Sequence, residues 1–262
     1  MQIRTSEAYE VINAQGKGPA VLLCEHASAY IPKRYAGLGL GPEARESHAA
    51  WDPGARALAV LLSGDLGAPL IAGRVSRLVY DCNRPPEAPS AMPERSEIFD
   101  IPGNVGLSEA QREERIETVY LPFSSAVIGH VAARKALHPV FALITVHSFS
   151  PLWFGTPREV EIGLLHDADS RLADAMMAQA KLVPHRVIRR NEPYGPQDGV
   201  THSLTIYGGA QALPNVMIEV RNDLLTTPED RAAVAADLMT LLAPALADLG
   251  LSAPALPDLE TA

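Results

Sequence analysis

Aromatic residues make up only 5% of this 262-residue chain, too few for the stacking platforms that grip single-stranded nucleic acid. Cysteine is scarcer still. Cys24 and Cys82 are the only two, which excludes a disulfide framework. Both lie in apolar runs, where cysteine serves as a small buried hydrophobe; a thiol nucleophile paired with His26 or His147 is the less favoured alternative. Positive charge is in deficit. With 22 Lys and Arg against 31 Asp and Glu, the net charge is -9, which argues against a polyanion-binding surface. A few local arginines can still hold a small anion. No apolar run is long enough to cross a bilayer, and Met1–Glu10 shows no basic region followed by an apolar core. There is no Gly-x-Ser-x-Gly elbow, which disfavours a serine hydrolase. These absences predict a cytoplasmic protein with a small-molecule partner, without nucleic acid or membrane, and of undetermined oligomeric state.

Hydrophobic residues are 47% and charged residues 20%, the balance of an ordinary globular protein. The length suits one large α/β domain over residues 1–262, with a Pro-containing tail from about 250 expected to be poorly ordered. Apolar runs alternate with amphipathic ones. Strands are expected near Ala20–Glu25, as one or two within Ala68–Asn83, before His147, within Glu159–Leu165 and His185–Arg189, and before Glu219. Helices are expected from Pro42 to Leu66 with a break at Asp52-Pro53, from Ser108 past Pro122 towards Ala136, over Asp169–Ala180, and from Thr227 to Leu249. Thr227 caps the last of these, with Pro228 at its first position and acids in its first turn. Two turn-rich loops, Arg84–Pro102 and Asn191–Gly199, interrupt the alternation. The pattern predicts a three-layer α/β/α fold with a mostly parallel or mixed central sheet.

Three apolar strands end in chemistry. Ala20-Val-Leu-Leu-Cys24 leads into Glu25-His26, Pro139–Val146 into His147-Ser148, and Asn215-Val-Met-Ile218 into Glu219-Val220-Arg221. In open α/β sheets, ligands gather at the carboxyl ends of strands. A lone strand-end histidine is usually a hydrogen-bonded structural residue. Two of them with a carboxylate make the donor set of a zinc site, a further carboxylate being needed to take the proton of water. This suggests a zinc hydrolase.

Five segments, in order from Val21 to about Leu225, resemble the N-formylglutamate amidohydrolase family and, more remotely, zinc carboxypeptidases. They are Glu25-His26-Ala27-Ser28 with Ile31-Pro32; His48-Ala-Ala-Trp-Asp52-Pro-Gly-Ala55; Val75-Ser-Arg77-Leu-Val-Tyr-Asp81-Cys-Asn83-Arg84-Pro85; Thr145-Val-His147-Ser148-Phe149; and Ile218-Glu219-Val-Arg221-Asn222. The resemblance implies a carboxypeptidase-like fold and zinc-dependent hydrolysis of a small N-acyl amino acid. N-formylglutamate is the foremost substrate it implies, cleaved to formate and glutamate in histidine degradation. It also implies His26 and His147 as ligands of a single Zn2+, Glu219 as the group that activates water, and Asn83-Arg84 as the holder of a substrate carboxylate. The chain departs from the carboxypeptidase pattern at Ala29, where a ligating glutamate is expected. Asp52 is the preferred substitute, ahead of Glu25, with His48 as a ligand, a neighbour of one, or a structural residue.

Each assignment has a plainer competitor. Asp52 before Pro53 also reads as a helix cap. Glu219 reads as an ion-pair partner of Arg221, since alternate strand residues share a face. Arg77 and Arg84 read as partners of Asp81 or Glu87; as functional groups they would hold the substrate carboxylate and the oxyanion. Ser148 and Arg221 complete the expected substrate contacts. His166-Asp167 doubles as a strand end and cap, His202 as a cavity residue, and His130, His138 and His185 as structural or exposed groups. Beside the hydrolase stand two competing functions, a carboxypeptidase-like peptidase and a metal-free carboxylate-binding protein on the same fold.

Overall fold

The structure, a computed structural model, describes residues 3–251. The expectation for the tail falls almost wholly outside those residues. Twelve strands are numbered along the chain among the described residues. The main sheet contains β1 (Ile3–Thr5), β2 (Tyr9–Ile12), β3 (Ala20–Cys24) and β4 (Leu70–Gly73). Outside it, β5 (Arg95–Ser96) and β6 (Phe99–Asp100) pair as a hairpin. The main sheet resumes with β7 (Ala142–Phe149), and β8 (Leu152–Trp153) and β9 (Thr156–Pro157) form a second separate hairpin. The sheet is completed by β10 (Ile162–Leu165), β11 (Ile188–Arg190) and β12 (Asn215–Arg221). Its order is β1-β2-β4-β3-β7-β12-β10-β11. The centre, β4, β3, β7 and β12, is parallel, and both margins join it antiparallel.

Every residue of β3 and β7 is buried, as continuous apolar strands require when both faces are covered. After the short α1 (Pro42–Glu46), one face carries α2 (Ala55–Asp65), α5 (Arg171–Ala178) and α6 (Pro228–Asp248), packing Leu58, Leu172 and Leu238 on Leu22, Ile144 and Ile218. On the other face, α4 (Leu121–Leu137) places Phe123 and Val127 against Leu23 and Leu143. The three-layer α/β/α fold with a mixed sheet is therefore the fold of this chain.

The helix starts follow local chemistry. Ser108 accepts from the Gln111 amide and Gln111 answers to the Ser108 amide, opening α3 (Glu109–Arg115). Thr227 and Asp230 do the same for α6. Between α3 and α4, Ile116–Tyr120 widens to a π turn just before Pro122, whose ring nitrogen cannot donate the regular helical bond.

The expected strand structure over Ala68–Asn83 is corrected: only Leu70–Gly73 is a strand. Beyond it Val75, Leu78, Val79 and Tyr80 are buried as loop residues, so their apolar character reflects burial and not sheet pairing. Buried polar side chains support this loop. Arg115 donates to the Val79 carbonyl (3.1 Å) and to Asn104 Oδ1 (2.6 Å), and Asn104 donates to the Leu78 carbonyl (2.9 Å). Such bonds replace a strand ladder as partners of buried carbonyls. Strands β1, at the sheet edge, and β2, beside it, were not expected from the sequence, which carries no chemical motif there.

Thr227→Ala is expected to lower stability by about 1 kcal/mol through loss of the cap. Leu238→Ala, which empties the core beneath α6, is expected to cost about 2–5 kcal/mol. Urea unfolding of the two variants checks both the order and the sizes.

Candidate active site

Register brings the chemistry together. In the parallel pairing of β12 with β7, Glu219 is opposite His147. In the pairing of β3 with β7, Leu23 is opposite Thr145, so Glu25, two residues on, arrives beside His147. The chain turns at Glu25-His26, which lets consecutive residues both face the site although a straight strand would send them to opposite faces. Asp52 is tied to the end of β3 by its amide, which donates to the His26 carbonyl at 2.9 Å.

The Asp52 carboxylate is the hub. Its Oδ2 lies 2.8 Å from His147 Nδ1, 3.3 Å from His26 Nδ1 and 3.4 Å from the Ser148 amide. It does not cap α2, whose N-cap is Gly54 at φ 81; a Cβ there would meet Leu225 Cβ at 2.4 Å. The cap reading of Asp52 is thus excluded by the geometry. Each imidazole turns its other nitrogen to a second carboxylate: His26 Nε2 meets Asp81 Oδ1 at 2.6 Å, and His147 Nε2 meets Glu25 Oε2 at 3.1 Å. All five side chains are buried.

His26 has one nitrogen inward and the other bonded to an outer carboxylate, the arrangement that fixes ring orientation and basicity in metal-binding histidines, whereas Glu25 stands at ion-pair distance from His147 Nε2 without a hydrogen bond. Ligand atoms of His26, Asp52 and His147 lie within 4.8 Å of one another, and the three can hold a metal ion. The site's electrostatics favour a cation. Burial works against the charged forms, yet His26 and His147 hold Asp52 below the usual carboxylate range, and His26 and Arg77 hold Asp81 well below it. Burial likewise lowers the His147 basicity, but Glu25 and Asp52 outweigh it and raise it well above the ordinary value.

Glu219 behaves in the opposite way. Its Oε2 is buried without a hydrogen-bond partner. Burial raises its pKa from 4.5 to about 7, with His147 opposing and Asp52 adding to the rise. The expected ion pair with Arg221 is absent. Arg221 turns away to Asp223 (2.8 Å) and the Arg158 carbonyl (3.0 Å), and it is not among the residues lining the cleft.

The cleft over this centre has a volume of about 320 Å³, on the order of ten waters' worth of liquid, which suits an acylated amino acid better than an extended peptide. Arg77 lines it with Nη2 on Asp81 (2.8 Å) and Nη1 towards Asp52 (3.5 Å). Arg84 lines it and donates to the Asn83 carbonyl at 2.9 Å. Asn83 and Ser148 also border the cleft, but their side chains are already engaged. Asn83 donates to the Val200 carbonyl (2.6 Å) and accepts from the Ser203 amide (3.0 Å), while Ser148 Oγ donates to the Pro53 carbonyl (2.8 Å). His48 is no member of the metal group; its Nε2 lies 2.9 Å from each oxygen of Glu97. His202 is behind the wall, bonded to the Tyr120 hydroxyl at 3.1 Å.

Sequence reasoning treated Asp81 only as an ion-pair partner and did not single out Glu97, Trp153 or Tyr194. For Asp81 a signal existed, since it stands within the Val75–Pro85 segment that carries the family resemblance and supplied both arginines. The other three depend on how separate loops fold back over the cleft, which no local spacing reveals.

A buried His–Asp–His cluster at the carboxyl ends of parallel strands, with Glu219 unpartnered beside it, is a candidate metal centre in an α/β protein. The model of the N-formylglutamate amidohydrolase family matches residues 18–226, and the chain belongs to that family. A gene product of Agrobacterium tumefaciens with a known crystal structure is similar at 52% identity and TM-score 0.91, over 94% of this chain and 97% of that one. An N-formylglutamate amidohydrolase from Ralstonia eutropha JMP134 shares the fold at 19% identity and TM-score 0.68, over 93% and 98% of the two chains. Comparison with curated proteins gave no match. Among the described residues no helix is long and apolar enough to cross a membrane.

The Glu219 shift has a definite sign. Below pH 4.5 its carboxyl is protonated in both folded and unfolded chains; between 4.5 and about 7 unfolding releases a proton, so rising pH removes stability until the folded group also ionises. In metal-free protein Glu219→Gln is therefore expected to match the parent at pH 4 and to exceed its stability by roughly 1–3 kcal/mol at pH 8. Urea titrations at the two pH values measure this difference, and a gain at pH 4 alone would contradict the assignment.

Proposed function

We propose that the protein is a zinc-dependent amidohydrolase of the cytoplasm that removes the formyl or acyl group from a small N-acylated amino acid. The observation that carries the reading is the unpartnered Glu219 carboxylate beside the His26–Asp52–His147 group. Family membership supports amide hydrolysis, and N-formylglutamate, whose name the family bears, is the first compound to test.

The donor set of two imidazoles and one carboxylate fits Zn2+ with a position left for substrate or solvent. His26, Asp52 and His147 would hold the ion, which when bound supplies Lewis acidity and makes water more acidic. Glu25 and Asp81 keep the two rings oriented. Glu219, with a pKa of about 7, accepts the proton of the attacking water and returns it to the departing amine. Arg77, fixed at the cleft wall by Asp81 and Asp52, places positive charge near the oxyanion that develops as the acyl carbon becomes tetrahedral. Arg84 binds the α-carboxylate by its forked guanidinium. The acyl carbon–nitrogen bond then breaks, giving a carboxylic acid and the free amino acid.

Hydrolysis of N-formyl and N-acetyl amino acids should vanish on chelation and return with zinc. Glu219→Gln is expected to lower kcat by about 10²–10⁴ while the protein still binds zinc. Asp81→Asn is expected to weaken zinc binding by about 10–100-fold in competition with a chelating dye. Bound zinc without turnover of any acyl amino acid would overturn the substrate class, and the absence of zinc binding would overturn the mechanism.

A further inference from the structure

Asn83 borders the cleft but is only 2% exposed, and its amide is held at both ends. Nδ2 donates to the Val200 carbonyl at 2.6 Å, and Oδ1 accepts from the Ser203 amide at 3.0 Å. These partners lie 117 and 120 residues away along the chain. A carbonyl on one side and an N–H on the other fix which way round the amide lies. The backbone N–H of Asn83 donates to Asp81 Oδ1 at 2.9 Å, the same oxygen that meets His26 Nε2.

The segment that Asn83 holds leads to the other histidine. Ser203 is fully buried, and its hydroxyl has no hydrogen-bond partner. The Glu25 carboxylate, at ion-pair distance from His147 Nε2, is likewise buried with both oxygens unpartnered. The two groups are neighbours all the same. Burial alone would raise the Glu25 pKa, and His147, the Ser203 hydroxyl and His26 together lower it. The residues before Ser203 face elsewhere: Thr201 donates to Asp167 at 2.5 Å, and His202 is bonded to Tyr120 at 3.1 Å. Directly after Ser203 the chain widens to a π turn, Leu204–Gly208, an irregularity that frequently marks functional sites.

Resting on the amidohydrolase reading, we propose that Asn83 is a positioning residue of the metal centre and not a holder of the substrate carboxylate. One side chain locks the Val200–Ser203 segment to the Asp81 loop, so the acids behind both imidazoles share one frame. Asp81, whose oxygen the Asn83 amide N–H directs, orients His26 by contact. Ser203, whose amide the Asn83 side chain holds, steadies Glu25 behind His147. Without the lock the Ser203 hydroxyl moves off Glu25, and the His147 ring loses the support that sets its direction. Groups behind metal ligands govern affinity in this way. Arg84, which also lines the cleft, keeps the α-carboxylate. Adjacent residues thus divide the work, one holding the metal centre in shape and the other holding the substrate.

Zinc affinity of the full chain, measured in competition with a chelating dye, reads the lock without turnover. Asn83→Ala and Ser203→Ala are each expected to weaken it by about 10-fold. Combined, they are expected to lose little more than either alone, because both break the same link. On zinc-saturated protein, Asn83→Ala is expected to lower kcat for N-formylglutamate and leave KM nearly unchanged. Arg84→Ala, by contrast, is expected to raise KM at the zinc affinity of the parent. Asn83→Asp keeps the acceptor for the Ser203 amide but sets an oxygen against the Val200 carbonyl, and is expected to resemble Asn83→Ala. A raised KM with unchanged zinc affinity in Asn83→Ala, or strictly additive losses in the double variant, would overturn the lock and leave the hydrolase intact. Unchanged zinc affinity in Ser203→Ala would overturn it even if Asn83→Ala fails to fold. Coupled losses of zinc affinity in a parent that turns over no acyl amino acid would uphold the lock and overturn the hydrolase. A parent that binds no zinc would overturn both.

Discussion

One carboxylate oxygen organises this molecule's chemistry. Asp52 Oδ2 stands between the Nδ1 atoms of His147 and His26, at 2.8 and 3.3 Å, in a setting where burial alone would drive the carboxylate towards its neutral form. The two imidazoles and the oxygen keep one another in place only because each ring has a second acid behind it, Glu25 or Asp81. Four carboxylates and two histidines packed this closely would repel or neutralise one another without cations among them. Arg77 supplies one fixed charge, bridging Asp81 and Asp52, and the donor set is suited to a metal ion as another. The parallel centre of the sheet brings the ends of three strands to one place, and the loop from Val75 to Arg84 delivers Arg77 and Asp81 from the side.

Much of this was legible in the sequence. His26, His147 and Glu219 are adjacent because they lie at or near the carboxyl ends of three neighbouring parallel strands, and such ends meet by construction. Asp52 could not be separated from a helix cap by sequence, since Asp-Pro serves both uses; its three-dimensional partners decide the matter. The apolar stretch after β4 misled in a more general way. Val75, Leu78, Val79 and Tyr80 have the composition of a strand, but Asn104 and Arg115 satisfy the carbonyls that a strand would have paired. Those partners are distant in the chain, and their contribution to the site's frame has no local signature. Arg221 shows the same limit from the other side. Two residues after Glu219, it sits where sequence spacing suggests a partner, yet it turns outward to Asp223.

Burial acts on the two kinds of acid in opposite ways. Asp52 and Asp81 are surrounded by imidazoles and a guanidinium and remain charged, whereas Glu219 has an unpartnered oxygen and is pushed towards neutral pH. A single buried pocket thus separates carboxylates fit to hold a cation from one fit to exchange a proton.

The two hairpins at the cleft, β5–β6 and β8–β9, form separate two-stranded sheets and, among the described residues, do not pair with the main sheet. Glu97 belongs to the first and Trp153 to the second, while the histidines and Glu219 belong to the carboxyl ends of the central strands and the turns that follow. Mutational drift in a hairpin can therefore rewrite which molecules are admitted without disturbing the reactive centre. A lineage built on this frame is free to change its diet one loop at a time.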